Sequence, residues 1–244
     1  MPDEIQPTDW FAGLDFATDT FTGADGASVR STRRAGAAPE ADLLDRQTVP
    51  QSEAAYRRQL SDVFGSGEAA VTADLGASPE LAGLLKSWPA RGSRQTGERI
   101  FTLVSEGMGR AFGFTPAHLA WSRGLPADNA IGLFLRGAGW EKVVISALLL
   151  NRPVREFLDT VVHEQTHRLQ HALTCRLNTP QIPLDPQVRG LVLYWLRKEP
   201  DRKRDYQAAA RIRDPRERLA FYRSIPIEFH AYGAAERLVH TLLP

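Results

Sequence analysis

Apolar residues recur along the second half of this chain with two distinct periods. In "TGERIFTLVSEGMGRAFGF" they fall at Ile100, Phe101, Val104, Met108, Ala111 and Phe112, close to a 3.6-residue repeat. That spacing predicts a helix, with Gly113 as its stop. Three short runs of strand character follow, "AHLAWS" (117–122), "AIGLFLR" (130–136) and "KVVISALLL" (142–150), separated by Gly, Pro, Asn and Asp turn residues. Helical spacing then returns in "NRPVREFLDTVVHEQTHRLQHALTCRL", with Asn151 as candidate N-cap and Pro153 in the first turn. Pro180, Pro183 and Pro186 interrupt the chain before further helix in "VRGLVLYWLRK", "RDYQAAARIRD", "RERLAFYRS" and "PIEFHAYGAAERLVHTLL". The expected fold class is α+β: a helix, a small and mainly antiparallel sheet, a long central helix and C-terminal helices.

Residues 1–94 carry no such pattern. Gly, Ala, Thr, Asp and Ser dominate them, and only "SEAAYRRQLSDVF" (52–64) has the spacing of an amphipathic helix. Such a composition offers too little apolar surface to offset the entropy of ordering, so 1–94 is expected to be a mostly disordered segment ahead of a folded domain at 95–244. Charge follows the same division. Residues 1–95 hold 14 acidic and 9 basic side chains, and 96–244 hold 15 acidic and 21 basic ones, so the acidic segment is suited to mask the basic half.

The whole 244-residue chain has a net charge of only +1 and one cysteine, Cys175, which excludes an internal disulfide and a cysteine-rich metal site. Cys175 is expected to be a buried structural thiol. No apolar run is long enough to span a bilayer, and the acidic start lacks the features of a cleaved secretory signal. The expected location is cytoplasmic, or exported by a route that does not cleave a Sec-type signal. The run 197–218 mixes nine bases with five acids, the pattern of a solvated helical face and not of a nucleic-acid stripe.

Candidate chemistry concentrates in "VVHEQTHRLQHAL" (161–173). On a helix, His163 and His167 are offset by about 40° and about 6 Å, so both imidazoles can meet at one cation. Glu164, about 100° further round, sits beside that point, where it can accept a proton from water. With His163 at 0°, the apolar positions Val154, Phe157, Leu158, Val161, Leu169, Ala172 and Leu173 cluster at roughly 120–280°, away from both histidines. His171 lies a turn further on, too far along the axis to join the same cation, and is expected at a cleft rim or exposed.

A catalytic Zn2+ needs a third protein ligand and an open position. Gln170 and Leu173 stand where a continuation of the form HExxHxxGxxH would need glycine and histidine. Glu228 is the preferred third ligand, because Pro226 can start a helix whose first turn presents it inward. His230, Glu199, Glu217, Glu236 and His240 are the alternatives. Tyr232, one turn from Glu228, is the first choice for an oxyanion donor, ahead of Tyr222, His230 and Arg223.

These residues resemble a zincin metallopeptidase of the gluzincin type, in which HExxH on one helix is joined by a Glu from a later one. "WEKVVISALLLNRPVREFLDTVVHEQTH" is similar to that family's strand, turn and active-site helix, and the "PxExxAY" setting of Glu228 to its third-ligand segment. The resemblance covers residues 95–244. It implies a zincin-like fold, bound zinc, a protein or peptide substrate held along "AIGLFLR" by strand addition, and Glu164 as general base. It departs from thermolysin-like members at Tyr232, where an Asp would orient the first histidine; Asp159 is the substitute considered. An exported effector or toxin fits this reading. A zinc amide hydrolase that does not act on proteins, and a metal-free interaction protein, are the other classes.

Overall fold

The computed structural model describes residues 47–88, 93–123, 131–137, 140–177, 179 and 183–243. Among the described residues the elements are, in order, α1 (Glu53–Gly76), α2 (Pro79–Lys86), α3 (Arg94–Phe112), β1 (His118–Ser122), β2 (Gly132–Gly137), β3 (Trp140–Ser146), α4 (Val154–Leu177), α5 (Pro186–Arg211), α6 (Pro215–Ser224) and α7 (Pro226–Leu242). This is an α-rich α+β architecture.

The sheet is mixed, which corrects the expectation of a mainly antiparallel one. Its order is β1-β3-β2, with β1 parallel to β3 and β2 antiparallel to it. Side-chain alternation sets which face of a strand is buried but says nothing about its direction, so the sequence could not decide this. Edge strand β2 packs against α4.

Local signals position the central helix. Gly113 ends α3 at φ 66°, a left-handed conformation that favours glycine. Ser146 opens a 3-10 turn, Ala147–Asn151, in which Leu149 is buried. Asn151 therefore belongs to that turn and does not cap α4, which begins just after Pro153. Along α4, Phe157, Leu158, Val161, Leu169 and Leu173 enter the core, as the apolar stripe predicts. The rest of the helix surface is covered too: Thr160, Glu164, Thr166 and Gln170 are buried, and so is Gln165, a polar residue within the apolar stripe itself. Hydrogen bonds satisfy most of these groups, for instance Gln165 Nε2 donating to Ser105 Oγ at 2.9 Å, while Gln165 Oε1 is buried without a partner.

The boundary expected near residue 95 does not separate disorder from order. Helices α1 and α2 put Tyr56, Leu60, Phe64, Val71, Leu75 and Leu81 into the same core as α4. Trp195 Nε1 donates to the Tyr56 hydroxyl at 2.9 Å, and that hydroxyl donates to Pro226 O at the first residue of α7. Glu68 and Arg237 form a two-point ion pair between α1 and α7, at 2.6 and 2.7 Å. Tyr56, Leu60 and Phe64 fall in the stretch 52–64 whose spacing predicts an amphipathic helix, whereas Val71, Leu75 and Leu81 lie in Gly/Ala-rich sequence whose burial is visible only once the neighbours are in place. Residues 1–46, including the acidic start, lie outside the described residues.

Deleting residues 1–94 should consequently remove the scaffold of α7 and leave a protein without a cooperative thermal transition. Deleting only residues 1–46 should leave that transition in place. Circular dichroism melts of the two truncations test this; a cooperative melt from the shorter chain would show that α1 is dispensable.

Candidate metal centre

Two helices bring the predicted ligands together. His163 and His167 project from one face of α4, and Glu228 projects from the first turn of α7, whose Pro226 suits that position. His163 Nε2 and His167 Nε2 stand 3.0 Å apart, and the Glu228 carboxylate oxygens are 3.3 Å and 3.5 Å from them. Ligands about 2.0–2.1 Å from a tetrahedral zinc are roughly 3.3 Å from one another, so these spacings suit a shared cation. Among the described residues this is the one group of three metal-ligating side chains whose donor atoms all lie within 4.8 Å. His230, Glu199, Glu217, Glu236 and His240 are not part of it.

The electrostatics favour a positive charge between these groups. Glu228 is 2 % exposed, and one of its oxygens, Oε2, is buried without a hydrogen-bond partner. Burial would raise its carboxyl, but His167 and His163 hold it well below the usual carboxylate range. Burial likewise works against the His167 imidazolium, yet Glu228 lifts that group to about 9. A proton here satisfies the same field that a divalent cation would. Tyr206, from α5, donates its hydroxyl to Glu228 Oε1 at 2.6 Å.

Glu164 lies beside the His163–His167–Glu228 cluster and is 6 % exposed. Burial raises its carboxyl, while His163, His167 and a hydrogen bond from the Phe134 main chain act the other way. Strand β2 can come this close because residue 132 is glycine. A Cβ there would lie 2.4 Å from Thr160 Cγ2 and 3.0 Å from both Glu164 Cγ and Oε1.

The other expectations meet mixed outcomes. Tyr232 packs edge-on against His163, with ring centroids 4.5 Å apart, and Arg223 lies over its ring. Burial pushes its hydroxyl up to about 12, so it stays protonated and able to donate. Asp159 does not orient His163, whose Nδ1 is buried without a hydrogen-bond partner. His171 is neither a ligand nor a free rim residue: its Nδ1 is 2.8 Å from Glu141 Oε1, and its Nε2 is 3.5 Å from Cys175 Sγ. Cys175 is half-buried, and burial raises its thiol.

Three residues at or behind the site were not singled out for these roles from sequence. Tyr206 sits in a charge-rich run that reads as solvated surface. Gln170 is 1 % exposed and accepts a hydrogen bond from His167 at 2.8 Å. His230, an alternative ligand by sequence, instead packs against Phe64 and Trp195, at 4.4 and 5.6 Å, with burial pushing it down to about 3. The one advance signal was Gln170, which lies three residues after His167 on the same helix face.

Gly132→Ala should displace β2 from Glu164 and lower any activity that uses this carboxylate, with little change in bound metal; activity assay and elemental analysis read the two effects. His230 gives a stability prediction. Its pKa is depressed on folding, so the unfolded chain binds the extra proton, and stability is lost as pH falls from about 6.5 toward about 3. The slope is up to about 1.4 kcal/mol per pH unit. In denaturation series across that window, His230→Phe should show a shallower pH dependence than the wild type; an unchanged slope would remove His230 as a source of acid sensitivity.

Comparison with known protein families, with curated proteins and with solved structures finds no match to this chain.

Proposed function

We propose that the chain is a zinc-dependent metallopeptidase with a zincin-like fold, and that His163, His167 and Glu228 are its metal ligands. The observation that carries this reading is the meeting of two imidazoles and a buried carboxylate within 3.5 Å, with a second buried carboxylate beside them. Two nitrogen donors and one oxygen donor suit zinc, which these three side chains would hold. Such an ion supplies a Lewis acid for the scissile carbonyl and lowers the pKa of water to about 7.

The chain's own residues supply the rest. Glu164 accepts the proton of the attacking water and delivers it to the leaving amine nitrogen. Its raised carboxyl brings it closer to the basicity that this exchange needs. Tyr232 keeps its hydroxyl proton and lies against His163, which makes it the donor for the developing oxyanion. Tyr206 holds Glu228 in place. Edge strand β2 passes Glu164 at Phe134, so an extended peptide laid along that strand would bring its backbone to the general base. Among the described residues no helix is long and apolar enough to cross a membrane.

Purified protein should contain about one zinc per chain, and His163→Ala or His167→Ala should lose it. Glu164→Gln should keep the metal and lose roughly 10²- to 10⁴-fold in cleavage of a generic protein substrate. Metal-free wild-type protein under zinc-replete conditions, or full activity in Glu164→Gln, would end this reading.

A further inference from the structure

Behind the ligand triangle one side chain touches both helices that build it. Gln170 projects from α4 one turn beyond His167 and is 1 % exposed. Its Nε2 lies 2.9 Å from Ile227 O and 3.1 Å from His230 Nδ1, both on α7. Its Oε1 lies 2.8 Å from His167 Nδ1.

The amide has only one orientation compatible with these neighbours. A main-chain carbonyl accepts and never donates, so the Ile227 oxygen must face the NH2 group of Gln170. The carbonyl oxygen of Gln170 must then face His167, and an acceptor there requires a proton on His167 Nδ1. A neutral imidazole with its proton on Nδ1 carries its lone pair on Nε2, the nitrogen that faces His163 and Glu228. Ile227 immediately precedes Glu228, so the same amide also holds the turn that delivers the third ligand.

We propose that Gln170 is a positioning residue for the cation site: it selects the metal-binding nitrogen of His167 and couples that choice to the docking of the Glu228 turn. The inference rests on His163, His167 and Glu228 being cation ligands. Partners of ligand side chains commonly set affinity by about 10- to 100-fold, and this one serves ligands on two helices at once.

Two substitutions separate the two roles. Gln170→Leu keeps approximate size and removes both, so it should weaken zinc binding by about 10- to 100-fold in competition with a chromophoric chelator. Gln170→Glu keeps an acceptor for His167 Nδ1–H but has no N–H for Ile227 O or His230 Nδ1. It should retain most of the zinc affinity while melting at a lower temperature without metal. Gln165→Leu is the control for general damage to α4, since Gln165 is buried and bonds Ser105 without touching the site. It should lower the melting temperature and leave zinc affinity unchanged.

Wild-type affinity in Gln170→Leu would overturn the proposal while leaving the metal site standing. So would equal weakening in Gln170→Glu and Gln170→Leu, or a comparable loss in Gln165→Leu. Failure of the wild type itself to bind zinc would remove both the metal site and this role.

Discussion

A carboxylate buried among imidazoles must be met by positive charge, because removing an ionised group from water without a partner is far more costly than any single contact in the fold can offset. Glu228 is in that position, at 2 % exposure and within 3.5 Å of two histidine nitrogens. Much of the surrounding structure can be understood as what keeps that cluster in place. Helix α4 supplies the imidazoles, α7 supplies the carboxylate, and the two pack directly on each other. Tyr206 from α5 and Gln170 from α4 bond Glu228 and His167 from outside the cluster.

The same requirement explains why the central helix is enclosed on both sides. A surface helix would present its polar side to water, yet here Thr166 and Gln170 are buried and bonded internally. Their hydrogen bonds limit the cost of burying polar atoms and hold α4 in one rotational setting. A rotation by one residue would move each imidazole by about 100° and dissolve the cluster. Strand β2 limits access from the other direction, with Gly132 giving the clearance that brings Phe134 to Glu164.

The first turn of α7 is anchored from three directions. Gln170 bonds the Ile227 carbonyl, Tyr56 bonds the Pro226 carbonyl, and Tyr206 bonds Glu228 itself. Tyr56 belongs to α1, so a helix ahead of the expected domain boundary contributes directly to the placement of Glu228. The Glu68–Arg237 pair adds a second tie between the same two helices. The site is thus supported by elements remote in sequence, which is how a carboxylate 61 residues beyond His167 can be held against it.

What the sequence determined by itself was local and periodic. The 3.6-residue repeat located α3 and α4, Gly113 marked a helix end, and the four-residue spacing of His163 and His167 placed them on one helix face with Glu164 beside it. Glu228 stood out because a proline start makes an inward-facing first turn easy to recognise. Tertiary structure decided everything that depends on which surfaces meet. It set the parallel pairing of β1 with β3, the inclusion of α1 in the core, and the roles of Tyr206, Gln170 and His230. Apart from the helical spacing of 52–64 and the place of Gln170 three residues after His167, these have no local signature, because a polar or weakly apolar residue acquires its role from a partner brought near only by folding.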